Sequence, residues 1–126
     1  MSKGKKIKIL IAEDERPIAN ALNLKLIHEG FDAKIAFNGK DALEELESGN
    51  FDLLILDLMM PEIGGFEVLE KLKEKNIKIP VFVASNLSQA EDVSKAKALG
   101  AADFFIKSDT PVSDIVLKIK KYFKIT

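Results

Sequence analysis

Apolar residues recur along the chain with two periods in alternation. Short, nearly continuous runs fall near Lys6 to Ala12, Ala33 to Phe37, Leu53 to Asp57, Val81 to Ser85 and Asp103 to Lys107, and these predict strands. Between them the spacing is helical. Ile18, Leu22 and Leu26 mark one stripe, Ala42, Leu43 and Leu46 a second, Phe66, Leu69 and Leu72 a third. Ala90, Val93, Ala96 and Leu99 mark a fourth, and Val112, Ile115, Val116, Ile119 and Phe123 a fifth. Each stripe is expected to face a sheet. The punctuation agrees: Gly30, Gly49 and Gly100 follow helical segments, Pro17 and Pro111 fall in expected first turns, and Ser88-Gln89-Ala90-Glu91 reads as a capping box for the fourth helix.

Five βα units result. Strands apolar along their whole length must be covered on both faces, and right-handed crossovers then give an α/β fold with a doubly wound parallel sheet. The third strand is the most apolar and is expected at the centre. Five strands of this kind suit the flavodoxin-like (βα)5 order 2-1-3-4-5, in which strands 1 and 3 meet at the switch point where open α/β sheets bind ligands. The 126 residues suit one domain. A single domain over 1–126 is therefore expected, with residues 1–5 a flexible basic end.

Charge and composition remove several function classes. Nineteen basic residues stand against twenty acidic ones, a net charge of −1, so no global field draws nucleic acid or an anionic membrane to the surface. Lys3, Lys5, Lys6 and Lys8 read as a solvated tail. No apolar segment approaches a bilayer span and no secretion signal is present, which predicts a cytoplasmic protein. Cysteine is absent, excluding disulfides, thiolate metal sites and cysteine nucleophiles.

The chemistry gathers at strand ends. Glu13-Asp14-Glu15 closes the first strand, Asp57 the third, Ser85 the fourth and Lys107 the fifth. With strands 1 and 3 adjacent, Glu13, Asp14 and Asp57 converge and repel one another unless a cation compensates. An all-oxygen donor set favours Mg2+, or Mn2+, over zinc, and leaves coordination positions for water and phosphate oxygens. A carboxylate can itself accept a phosphoryl group, and Asp57, alone on its strand end, is the candidate. Ser85 and Lys107 can each contact one phosphoryl oxygen.

These segments carry a resemblance. Ile11-Ala12-Glu13-Asp14-Glu15, Leu56-Asp57-Leu58-Met59-Met60-Pro61-Glu62-Ile63-Gly64-Gly65, Val83-Ala84-Ser85 and Phe104-Phe105-Ile106-Lys107 match, in order, the signatures of receiver domains of two-component response regulators. The chain resembles the stand-alone kind, such as the chemotaxis and sporulation-relay regulators. The resemblance implies Mg2+-dependent phosphoryl transfer to Asp57 from a histidine kinase or a histidine phosphotransfer protein. It implies Asp14, Asp57 and the Met59 backbone carbonyl as metal ligands, Glu13 acting through water, Lys107 on the phosphoryl group, and Ser85 with Phe104 as switch residues. Output would pass to a protein target through the fourth helix, fifth strand and fifth helix, with Gln89, Lys95, Lys97, Asp103 and Lys118 as candidate exposed positions. The protein would be a monomer or a phosphorylation-dependent dimer, and a phosphoacceptor rather than an enzyme acting on other substrates.

Three positions depart from the family pattern. Ser108 follows Lys107 where proline is common, and a cis bond before Ser would cost about 3 kcal/mol, so a trans bond is expected. Asn86 stands where a small residue is usual, and would narrow access to Asp57 or order a water. Glu13 replaces the commoner Asp. The rival readings are a phosphorylation-independent binding module on the same fold, strand-end acids that merely cap the first helix, ordinary core packing for Phe104, and a Mg2+-dependent phosphatase. The phosphatase would ordinarily carry a second Asp where Met59 stands. His28, alone on a helix, is assigned no role.

Overall fold

The structure, a computed structural model, describes residues 6–86 and 90–125. In chain order the elements are β1 (Lys8–Ala12), α1 (Arg16–His28), β2 (Asp32–Ala36), α2 (Gly39–Ser48), β3 (Leu53–Leu56) and α3 (Gly65–Glu74). They continue with β4 (Val81–Ser85), α4 (Ala90–Ala98), β5 (Asp103–Ile106), one 3-10 turn at Lys107–Asp109, and α5 (Val112–Tyr122). The strands form one sheet in the order β2-β1-β3-β4-β5, and every pairing is parallel. This is the expected doubly wound architecture.

Covering both faces is what makes the strands continuously apolar. Leu10, Leu54, Leu56, Val81 and Val83 point into a cluster shared with α2, α3 and α4. Their neighbours Ile9, Ile11, Leu53, Ile55 and Phe82 point into a second cluster with α1 and α5. The alternation of side-chain direction along each strand thus builds two cores on one sheet. The expected stripes of α2 and α5 are buried at Ala42, Leu43, Leu46, Ile115, Val116 and Ile119.

Elsewhere the stripes shift. In α1, Ala19 is buried with Leu22 and Leu26, while Ile18 in the first turn is 37% exposed, because it lies at the rim of an apolar pocket open toward the 3-10 turn. In α3, Val68 is buried and Phe66 only half-buried, beneath the Lys95 ammonium 4.4 Å from its ring centre. In α4 only Ala96 is buried, and Ala90 is exposed. Of the expected capping box, Ser88 and Gln89 lie outside the described residues. Pro111 is the N-cap of α5 rather than part of its first turn.

β1, β3 and β5 are also shorter than their apolar runs, while β2 is shifted one residue toward the N-terminus and β4 matches its run. Lys6, Ile7, Phe37, Asp57 and Lys107 lie just outside the strands, the last two because the chain turns there toward the carboxyl edge. No cis peptide bond occurs among the described residues, so Lys107–Ser108 is trans as expected.

Candidate functional site

Hydrogen bonding carries the pairings of β1 with β3 and with β2 one step past the strands. The Asp57 N–H donates to the Ala12 carbonyl at 3.0 Å, and the Glu13 N–H to the Ala36 carbonyl at 3.0 Å. These bonds hold the first residues after each strand at the same level, so the carboxylates of Glu13, Asp14 and Asp57 meet. One oxygen from each lies within 4.8 Å of the others. Glu13 and Asp57 are buried and Asp14 is half-buried. The chain then leaves Asp57 through a tight return. The Gly65 N–H donates to the Leu58 carbonyl at 3.0 Å, and a Cβ on Gly65 would stand 2.5 Å from the Asp57 carbonyl oxygen. Only glycine fits there.

Lys107 reaches across from β5. Its ammonium, on a buried side chain, lies 3.0 and 3.1 Å from the two oxygens of Glu13, 3.2 Å from Asp57 Oδ2 and 2.5 Å from Glu15 Oε1. The Asp57 Oδ1 accepts from the Met59 N–H at 3.2 Å. The Met59 side chain is exposed and forms part of the wall of a cavity of about 370 Å³, with Asp14, Glu15, Asp57, Asn86 and Lys107.

Burial sets the electrostatics. It pushes the Glu13 carboxyl up to about 7 from an ordinary 4.5, against the Glu15 N–H and Lys107, which favour the anion, and with the nearby Asp57 charge adding to the rise. Burial likewise raises Asp57, although the Met59 N–H and Lys107 oppose it, and Asp14 adds to it. Burial alone would lower Lys107, but hydrogen bonds to Glu15 and Glu13 and the Asp57 charge outweigh it and hold the ammonium above its ordinary value. Two buried carboxylates thus carry more negative charge than one ammonium offsets. This donor set fits a hard divalent cation: it is all oxygen, clustered and under-compensated. Glu13, Asp14 and Asp57 could hold one.

The remaining expected residues fall as follows. Ser85 is fully buried at the end of β4, level with Ile106 of β5. Phe104 is half-buried and packs against the α2–α3–α4 core. Asn86 shares the wall of the cavity over Asp57, and its Oδ1 accepts the Ser108 N–H at 2.9 Å. Lys95 and Lys97 are exposed on α4, but Asp103 and Lys118 are half-buried and approach one another at 3.6 Å. Gln89 lies outside the described residues. Glu15 is the residue that sequence reasoning missed. It is the N-cap of α1 yet makes no side-chain capping bond, so the capping alternative fails for it; the signal was its place in the acidic triplet.

The comparisons with known proteins agree with this geometry. A family model described as the response regulator receiver domain matches residues 9–119. The transcriptional regulatory protein CiaR of Streptococcus pneumoniae is 39% identical over 101 residues, and DltR of Streptococcus agalactiae 35% over 101. Each alignment covers 80% of this chain but 45% of the relative, so the chain spans less than half the length of these proteins. Among solved structures, the receiver domain of the Francisella response regulator 1452 is similar with a TM-score of 0.88 at 29% identity, covering 94% of this chain and 98% of that one. The response regulator TrrA of Thermotoga maritima, in complex with Mg2+ and BeF, gives 0.79 at 32% identity, covering 91% and 97%. Among the described residues no helix is long and apolar enough to cross a membrane.

Proposed function

Because the chain belongs to the response regulator receiver domain family, we propose that it is a phosphoacceptor switch in which Asp57 takes a phosphoryl group from a phosphohistidine. The donor is a histidine kinase or a histidine phosphotransfer protein. The observation that carries the reading is the convergence of Glu13, Asp14 and Asp57 under the Lys107 ammonium. The Mg2+–BeF complex of the similar TrrA supports it.

In the transfer, an Asp57 carboxylate oxygen bonds to phosphorus as the donor's P–N bond breaks, and the electron pair leaves on the imidazole nitrogen. Glu13, Asp14, Asp57 and the Met59 carbonyl would hold Mg2+, which supplies positive charge to the phosphoryl oxygens. Lys107 turns its ammonium to the new phosphoryl group, and Ser85 donates its hydroxyl to another oxygen. The phosphorylated state therefore favours the arrangement in which β4 and β5 draw toward Asp57, a shift of population between two states. Phe104, packed toward α4, transmits it to the α4–β5–α5 face, where a partner protein or a second copy docks.

No nucleic-acid site is assigned to this chain, whose net charge is −1. Its chemistry is its own phosphorylation and dephosphorylation. The test is intact mass after incubation with acetyl phosphate and Mg2+, beside Asp57→Ala and an EDTA control. One phosphoryl adduct that needs both Asp57 and metal is expected. Absence of an adduct, together with no fluoroberyllate binding by folded protein, would instead favour a phosphorylation-independent binding module.

A further inference from the structure

Lys107 has more acceptors than its role requires. An ammonium has three N–H donors, and here four carboxylate oxygens from three residues lie within 3.2 Å of it. Two of those residues, Glu13 and Asp57, are buried, so withdrawing Lys107 from them strands charge away from water. The third differs. Glu15 has a side chain 53% exposed yet makes the shortest contact, 2.5 Å, and it forms part of the wall of the cavity over Asp57. Its carboxylate can return to water at small cost, since exposed ion pairs are worth little. Among the described residues Lys107 is the ion-pair partner of Glu15, and the capping position of Glu15 at α1 goes unused.

We propose that Glu15 is a positioning residue that holds the Lys107 donor on behalf of the incoming phosphoryl group and is displaced by it. The inference rests on the phosphoacceptor reading of Asp57. Before transfer, Glu15 keeps Lys107 extended across the pocket. On transfer, a phosphoryl oxygen takes over the N–H, and the Glu15 carboxylate swings into solvent. Because the two compete, Glu15 weakens the hold on the phosphoryl group, and its charge repels that group as well. Glu15 thus acts as a brake on the phosphorylated state of this chain.

Fluoroberyllate, a phosphoryl mimic, tests this at saturating Mg2+, titrated by NMR into wild type, Glu15→Gln and Glu15→Ala, with Mg2+ affinity and melting temperature measured separately. The expected result is binding roughly threefold tighter in both variants, with melting unchanged and Mg2+ affinity changed less than that. The gain is expected to persist at 0.5 M salt, where a long-range repulsion is screened. Affinity equal to or weaker than wild type, or a gain that vanishes in salt, overturns the displacement role while leaving the phosphoacceptor reading intact. If wild type itself binds no fluoroberyllate, both fall together.

Discussion

Asn86 Oδ1 accepts the Ser108 backbone N–H at 2.9 Å, so two departures from the family pattern are one device. A proline at 108 would have no N–H to give. With Ser there, the residue that follows β4 is tied directly to the turn that begins at Lys107. Asn86→Ala is expected to cost about 0.5–1 kcal/mol and to speed amide exchange at Ser108 about tenfold, read by NMR hydrogen exchange. An unchanged Ser108 amide would sink the idea.

Gly65 governs the other side of the pocket. A Cβ there would meet the Asp57 carbonyl at 2.5 Å and the Leu58 Cα at 2.6 Å, both backbone, so the loop that carries Asp57 must move. Gly65→Ala is expected to destabilise by about 2 kcal/mol and to weaken Mg2+ binding about tenfold by calorimetry. Gly30→Ala is the contrast: its φ is +97 with nothing within 4 Å of a Cβ, so stability should fall by about 1 kcal/mol with Mg2+ affinity retained. Equal Mg2+ affinity in both variants would show that Gly65 does not position Asp57.

Much of this was legible because burial on two faces leaves a plain mark. Leu53 to Leu56 is unbroken, which fixed β3 at the centre and brought Glu13 and Asp14 beside Asp57 by topology alone. Pairings made by side chains far apart in sequence were not legible. Glu15 and Lys107 are 92 positions apart, and an acid at a helix start reads as a cap until its partner is seen. Asn86 and Ser108 each looked like an isolated departure. In α4 the apolar period is present, yet only Ala96 is buried, since periodicity gives the direction of a stripe and not how closely the helix lies on the sheet.

Glu62, in the loop after Asp57, has a φ of +68, a left-handed conformation that costs a residue with a Cβ about 1 kcal/mol or more. Glu62→Gly removes that strain at some cost in unfolded-state entropy. A net gain of about 0.5 kcal/mol is expected by urea unfolding. A loss of stability would mean that the exposed Glu62 side chain makes a compensating contact.

The buried carboxylates predict an unusual pH dependence. Glu13 rises to about 7 from 4.5 on folding, and Asp57 also rises above 3.8. Between pH 4.5 and 7 the folded protein therefore holds protons that the unfolded chain has lost, so stability falls as pH rises through this window. Lys107, raised above 10.5, stays charged throughout and adds no slope. Glu29 is lowered by Lys120 and Lys25, so its contribution is full above 4.5 and disappears only as pH falls below that value. Without metal, melting temperature should drop from pH 5.5 to pH 8, by an amount on the order of 2 kcal/mol in stability. Mg2+ takes the place of the protons, so it should raise the melting temperature far more at pH 8 than at pH 5.5. Calorimetry in EDTA and in Mg2+ at both pH values decides it. A melting temperature in EDTA that is flat or climbs with pH would mean that Glu13 is ionised across the window and that Lys107 alone balances the pocket.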